Sequence, residues 1–413
     1  MSNDISTVQA RGNIIAAAAA GFLADHVQFV KTIDKANESD WEGKNGFKAG
    51  ATVDINVPAQ YTLGTGADIT SSIQDTQETS VPLTVDNQYN IPVAFTSAEI
   101  ATDFGLKSWA KRVLEPQMIT LANNIDKACI EQATNSIYNT VGTPGSTVYN
   151  TNVIMQAGQK LDENGCADYD NRYVLLNPAA NTSFVDNHKG LFNPSPELSK
   201  MFKNGAIAQG LGFNFLRNNL LKTHTNGADV AVAVENSVVT IATGMSTLGV
   251  DGVTSLATIK KGSVFTIADV FAVHPVTKAT LPHLQQFVVT ADVTEASGNS
   301  VTMAISPTIY SSASGAKQNV SALPVDEAAV TFIGSASTGY AQSLAFHKDA
   351  FRFVSLPLFN PEGVHMVGQK TKDGITARIV QFYDGKTDKL IMRVDVLWGM
   401  ANVRPQWAAR IWS

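Results

Sequence analysis

The chain has 413 residues, of which 44% are hydrophobic and only 16% charged, with a formal net charge of −6. That is enough apolar material for a sizeable core and for more than one domain, while the acidic balance argues against a dedicated nucleic-acid binder, which carries a basic excess. Neutral polar residues fill the place of charge, giving a surface on which several faces can meet other subunits without desolvating ions.

Residues 4–36 read as one long helix. Asp4 or Ser6 can cap its start, and Ile5, Val8, Ile15, Phe22, Val30 and Ile33 recur at near-helical spacing. Its apolar run 14–24 is too short and too Ala-rich for a membrane span. It is preceded by Asp4 and Arg11 and followed by Asp25 and His26, flanks that do not suit a secretion signal. With the loose stretch NESDWEGKNG behind it, the helix reads as an arm that needs a neighbour to cover its apolar face.

Residues 47–57 and 81–95 alternate as strands, with Pro58, Pro82 and Pro92 marking edges. Between them lies TLGTGADITSSIQDTQETS (62–80), without Lys or Arg but with Asp68, Asp75 and Glu78. The simplest reading is a two-stranded ribbon with an acidic, flexible tip, stable only when it lies across another molecule. These three carboxylates are the candidate assembly contacts.

Residues 106–137 are predicted as a second long helix, striped by Leu106, Trp109, Val113, Leu121, Ile125 and Ala128 and kinked or restarted near Leu114 by Pro116. Mixed α/β texture follows over 152–225. MQAGQKLDENG reads as a helix stopped at Gly165, YVLLNP as a buried strand, NPAANTSFVDN and PELSKMF as short helices. From 228 to 342 short alternating runs take over: VVTIA, SVFTIADVFAV, QQFVVTADVT, SVTMAISPTI and AAVTFIG. Separated by turn signals, they argue for a small antiparallel barrel or sandwich inserted into the α/β region. Residues 343–413 return to mixed texture with FRFVSLPL, ITARIVQFYD and DKLIMRVDVLWGMANV as strands.

Chemistry is sparse. GAIAQGLGF has spaced glycines but no following Lys-Ser/Thr, so no phosphate loop is assigned. His26, His188, His224, His274, His283, His347 and His365 form no H-x-x-x-H and read as single surface or packing residues. Asp162-Glu163 point apart on a helix and read as a solvated helix end. No G-x-S-x-G appears. Cys129 and Cys166 show no disulfide framework or C-x-x-C spacing and fit a reducing compartment. Lys386, Lys389, Arg393, Arg404 and Arg410 offer a surface for DNA or an acidic partner. The simpler reading is solvated charge and ion pairing, because no dense cluster or aromatic platform accompanies them. Catalytic residues, cofactors and metals are therefore all assigned as none.

The order of elements, with the phrases GLGFNFLRNNLLKTHTNG (210–227), ATIKKGSVFTIADVFAVHP (257–275), SLAFHKDAFRFVSLPL (343–358) and RVDVLWGMANVRPQWAARI (393–411), resembles the major capsid proteins of tailed bacteriophages. The fold implied is the α+β Hong Kong 97-like capsid fold, in the variant of the Salmonella short-tailed phage coat protein with an inserted β-barrel. The resemblance implies an N-terminal arm (1–46), an extended β-loop (47–95), a peripheral domain with its spine helix (96–140), a first axial-domain segment (141–225), an insertion barrel (226–342) and an axial/peripheral return (343–413). It implies a non-enzymatic subunit that assembles as hexamers and pentamers into an icosahedral procapsid and mature shell. Its implied partners are a scaffolding protein, a portal protein and, weakly, packaged double-stranded DNA, with no membrane. The implied location is the virion capsid, after assembly in the host cytoplasm. Three other readings stay open: an encapsulin-like nanocompartment shell, an uncharacterised enzyme on an α/β core, and a surface adhesin, against which the lack of a secretion-signal pattern weighs.

Overall fold

The computed structural model describes residues 5–35, 51–64, 66–67, 69–70, 73–74, 76, 78–96, 113–146, 150–166, 168–187, 209–228, 231–254, 256–295 and 299–412. The segments read from sequence at 37–46, 106–112 and 196–202 lie outside them. The chain is mixed α+β and strand-rich, and it divides into two compact units. The first comprises 1–56, 80–129 and 351–403; the second comprises 57–79, 130–350 and 404–413.

The first unit is built on an antiparallel sheet. Its strands are Phe351–Leu356, Lys389–Asn402, Ile375–Asp384 and Met366–Lys372, with Asn87–Thr96 pairing along Lys389–Asn402. The run 81–95 is thus not one ribbon strand. Thr79–Val85 pairs with Ala51–Val57 in a two-stranded ribbon, whereas Asn87–Thr96 joins the sheet. The alternation of side chains does not register this change of partner, because both partners demand the same period of two.

The predicted arm is two helices, Ile5–His26 and Phe29–Thr32. Of the stripe of large residues read from the sequence, Val30 and Ile33 are buried, but the covered face of the first helix runs mainly through small residues. Ala16, Ala19, Ala20, Leu23, Ala24 and Val27 are buried, while Ile15 and Phe22 are only half-buried. Small residues win because the helix backbone lies almost directly on the hairpin Met366–Asp384. A Cβ added at Gly368 would stand 2.2 Å from the Gly12 carbonyl oxygen, and one at Gly12 would stand 2.5 Å from that of Val367. Within this unit the arm helix therefore has a seat in its own chain, contrary to the expectation that only a neighbour covers it.

Asp126, on the spine helix Glu115–Ser136, holds the second arm helix. Its Oδ2 accepts from the backbone N–H of Gln28 at 2.6 Å and of Phe29 at 3.1 Å, and its Oδ1 accepts from Val30 at 3.2 Å. One carboxylate from a remote helix thus satisfies the donors that a helix start leaves open. Burial pushes the Asp126 carboxyl above the ordinary carboxylate range, against the pull of the three N–H groups. The spine helix starts after a π turn at 113–114 with Pro116 in its first turn, where a missing N–H costs nothing. Its buried face runs through Leu114, Met118, Leu121, Ala122, Ile125, Cys129 and Ile130.

The second unit contains a seven-stranded mixed sheet and a barrel. In the sheet, Gly339–His347 lies between Ala408–Trp412 and Arg172–Leu176, and Phe213–Arg217 runs parallel to the latter. The helix Thr151–Glu163 covers one face with Ile154, Ala157 and Leu161 against Val174, Phe213, Ala345 and Ile411. Asn150 caps its start by accepting from Val153 N–H, and Gly165 ends it at φ +75°.

The barrel closes through Ala231–Val234, Met245–Asp251, Ser300–Ile309, Thr280–Val289, Val264–Val273 and Ala329–Phe332, all antiparallel. Phe265 sits at its centre, with ring centroids 5.7 Å from Phe287 and 5.3 Å from Phe332. The run VVTIA, read as a strand, is a turn and loop whose Val239 and Ile241 pack against the barrel core from outside the ladder. Met245–Asp251 supplies the strand instead, its alternation hidden by Gly249.

Candidate assembly elements and the seat of the barrel

Beyond the ribbon, the loop 57–79 is closed by side chains: the Tyr61 and Thr76 hydroxyls lie 3.3 Å apart, and Gln74 clasps Thr62. Gln74 Oε1 accepts from the Thr62 N–H at 2.8 Å and from its hydroxyl at 2.9 Å, while Gln74 Nε2 donates to the Thr62 carbonyl at 2.7 Å. The tip beyond this clasp shows Leu63, Ile69 and Ile73 at 92, 67 and 76% exposure, and Tyr61 at its base is exposed as well. Exposed apolar groups of this size are the kind that intermolecular contacts cover in other proteins. Of the three candidate carboxylates, Glu78 is exposed at the foot of the loop; Asp68 and Asp75 lie outside the described residues. The sequence pattern draws attention to the charges and passes over the apolar residues between them. The base of the loop also forms one wall of a cleft of about 600 Å³, facing Lys278, Pro307 and Tyr310 of the barrel.

The five late basic residues do not form a common surface. Asp395, fully buried, accepts from both Arg378 and Arg393 at 2.5 Å. Arg404 stacks on the Trp407 ring, 4.1 Å from its centroid, and Arg410 is fully buried. Only Lys386 and Lys389 are exposed.

Arg410 lies where the barrel meets the mixed sheet. One terminal nitrogen donates to the Gly262 carbonyl in the barrel's Lys-Gly turn at 2.6 Å, the other to the Ile137 carbonyl just past the spine helix at 2.5 Å. Next to it Gln286, on a barrel strand, takes the Thr140 N–H at 2.8 Å and donates to the Thr140 hydroxyl at 3.0 Å. Asn226 donates to the Ile333 and Ser335 carbonyls, joining the chain that enters the barrel to the chain that leaves it. Tyr138, Val264 and Val288 fill the apolar part of this seat.

His224 is buried here, its ring 6.2 Å from that of Trp412 and its Nε2 3.2 Å from the Ser263 hydroxyl. Burial first, then the charges of Arg410 and Lys222, depress its pKa to about 3. His347 has a carboxylate partner that the local sequence hides: its Nε2 is 3.3 Å from Asp168 Oδ2. The Asn171 amide, the Asp170 N–H and His347 together hold the Asp168 carboxyl down at about 2. Asp162 and Glu163, read as a solvated helix end, instead take Arg172 at 2.5 Å and Lys160 at 3.8 Å. Cys129 and Cys166 are both buried free thiols.

The family model described as P22 coat protein, gene protein 5, matches residues 33–409. The chain belongs to this coat protein family. It is a structural, non-enzymatic protein, a major capsid protein of a bacteriophage virion, and many copies of it build the capsid shell. No curated protein matches it in sequence. Among solved structures, it is similar to a chain of Mycobacterium phage Che8 at 13% identity and TM-score 0.48, over 93% of this chain and 90% of that one. A capsid chain of the cyanophage P-SCSP1u gives 11% identity and TM-score 0.44, over 89% of this chain and 84% of that one. The capsid chain of Ralstonia phage GP4 gives 6% identity and TM-score 0.45, over 92 and 87%. The barrel of this coat protein closes on six strands, and no helix among the described residues is long and apolar enough to cross a membrane.

Proposed function

We propose that this coat subunit assembles as hexamers and pentamers by laying the loop 57–79 across a neighbouring copy, so that Leu63, Ile69 and Ile73 are covered there. The exposure of these three residues carries the reading. Asp68, Asp75 and Glu78 set the register of that contact against basic groups of the neighbour. Each such contact is weak, and closure of the shell makes their sum strong. Residues 1–46 act as the arm, 47–95 as the extended loop, 96–140 as the peripheral domain, 141–225 as the first axial-domain segment, 226–342 as the insertion barrel and 343–413 as the axial/peripheral return. The stitches at Asn226 and Gln286 support treating the barrel as one inserted body. The precursor shell forms in the host cytoplasm with a scaffolding protein and a portal protein, and then encloses double-stranded DNA. The net charge of −6 supports only weak contact with that DNA.

The test is L63S/I69S/I73S, beside deletion of 62–80, in subunits purified and mixed with scaffold. The triple variant is expected to fold normally and to lose shell yield at least tenfold by sedimentation. Shells at wild-type yield and stability in both variants refute the contact.

A further inference from the structure

The face of the mixed sheet that looks toward the barrel carries a charge with no counter-charge. Arg410 is fully buried, and its terminal nitrogens are spent on the Gly262 and Ile137 carbonyls. No carboxylate among the described residues pairs with it. Lys222 and Lys260 add positive potential at the neighbouring His224, and of these Lys222 is paired, with Glu131 at 2.8 Å. A buried guanidinium without an anion is costly, because neutral carbonyls replace only part of its lost hydration.

Three hydrogen-bond donors beside it are also unused. Arg410 Nε, Trp412 Nε1 and Gln342 Nε2 are buried and have no partner among the described residues; Gln342 Oε1 is unpaired as well, so only the Nε2 end of that amide can face an anion. Register puts them together. Gln342 is the cross-strand partner of Trp412, and Arg410 is two residues from Trp412 on the same strand. All three therefore share one sheet face at adjacent positions. His224 and Tyr340, partners on the next strand pair, flank the Trp412 ring on that face at 6.2 and 5.9 Å. Three N–H groups, one of them charged, surrounded by aromatic rings and lacking a carboxylate, have the chemistry of a small-anion site.

We propose that Arg410, Trp412 and Gln342 enclose a monatomic anion, chloride in solution, which neutralises the buried guanidinium and fastens the barrel's Lys-Gly turn to the sheet. An anion here stabilises the folded subunit by mass action, since the unfolded chain does not assemble the donors.

The experiment uses the full-length subunit at constant ionic strength, exchanging gluconate for chloride. The wild type is expected to show a saturable rise in its thermal midpoint with chloride, and bromide to act in the same way. Trp412→Phe and Gln342→Met keep volume and remove one donor each, so each is expected to weaken the apparent chloride affinity at least tenfold. In crystals grown with bromide, anomalous signal is expected within hydrogen-bond reach of Trp412 Nε1. Identical wild-type midpoints in the two salts overturn the proposal, as does a chloride response that both variants retain. Should neither variant fold, the wild-type titration and the bromide signal decide it, and the absence of either overturns it.

Discussion

Replacing Asp126 tests how the arm is held, because a single side chain satisfies three backbone donors 96 to 98 residues away. In D126A the N–H groups of Gln28, Phe29 and Val30 lose their acceptor; Phe29 and Val30 are buried, whereas Gln28 is exposed and can turn to water. Each buried donor left open costs about 1–3 kcal/mol. Relief from burying a charge offsets part of the sum over the two buried donors, so the net loss is expected at about 2–4 kcal/mol. D126N keeps one oxygen and turns an NH₂ toward the other donors, for a loss of about 1–3 kcal/mol. Against a total stability of about 5–15 kcal/mol, D126A should leave a marginal subunit. Urea denaturation of the unassembled subunit measures the loss, and amide exchange at residues 28–30 locates it. A loss below about 0.5 kcal/mol in D126A, or unchanged protection of those amides, refutes the account.

Other outcomes follow from the same structure. Gly368→Ala forces the arm helix off its hairpin, since the new Cβ would meet the Gly12 carbonyl at 2.2 Å; an overpacking loss of about 1–3 kcal/mol and faster proteolysis within residues 5–26 are expected. His224 is held neutral in the fold, with a pKa of about 3 against an ordinary 6.5. The unfolded chain therefore binds the extra proton between these values, and stability, complete above pH 6.5, falls as pH drops toward 3. In chloride-free buffer the loss attributable to this group is up to about 5 kcal/mol at 1.4 kcal/mol per unit, and H224Q should flatten that part of the pH profile. Gln74→Ala opens the clasp on Thr62; loop amides should exchange faster while the melting temperature stays within a degree or two, because the clasp is exposed.

Local grammar carried much of the fold in this sequence. The helix ending at Asn164-Gly165, the strand Arg172–Leu176 and the long barrel strands were legible because caps, left-handed glycines and a period of two are properties of neighbouring residues. The repeated Val/Thr/Ala strands between 264 and 332 announced a small β body, and the chain order around it announced a coat protein. What a strand pairs with was not legible. The single alternating run 81–95 serves a ribbon up to Val85 and a sheet from Asn87 onward. The small-residue part of the arm's buried face was also missed, since Ala and Gly score poorly as core residues until a hairpin approaches within backbone contact.

Charge was the poorest guide of all. Arg410 and Arg393 read as solvated charge in the chain. Only tertiary structure supplies Arg378 across the ladder from Asp395 and the Gly262 carbonyl 148 residues from Arg410. Sequence by itself determined which segments are helix or strand and which family the chain resembles, because those depend on short-range pattern. Partner choice, burial of charge and the bare apolar tip of the loop were decided by tertiary structure, because each depends on what distant segments bring within a few ångströms.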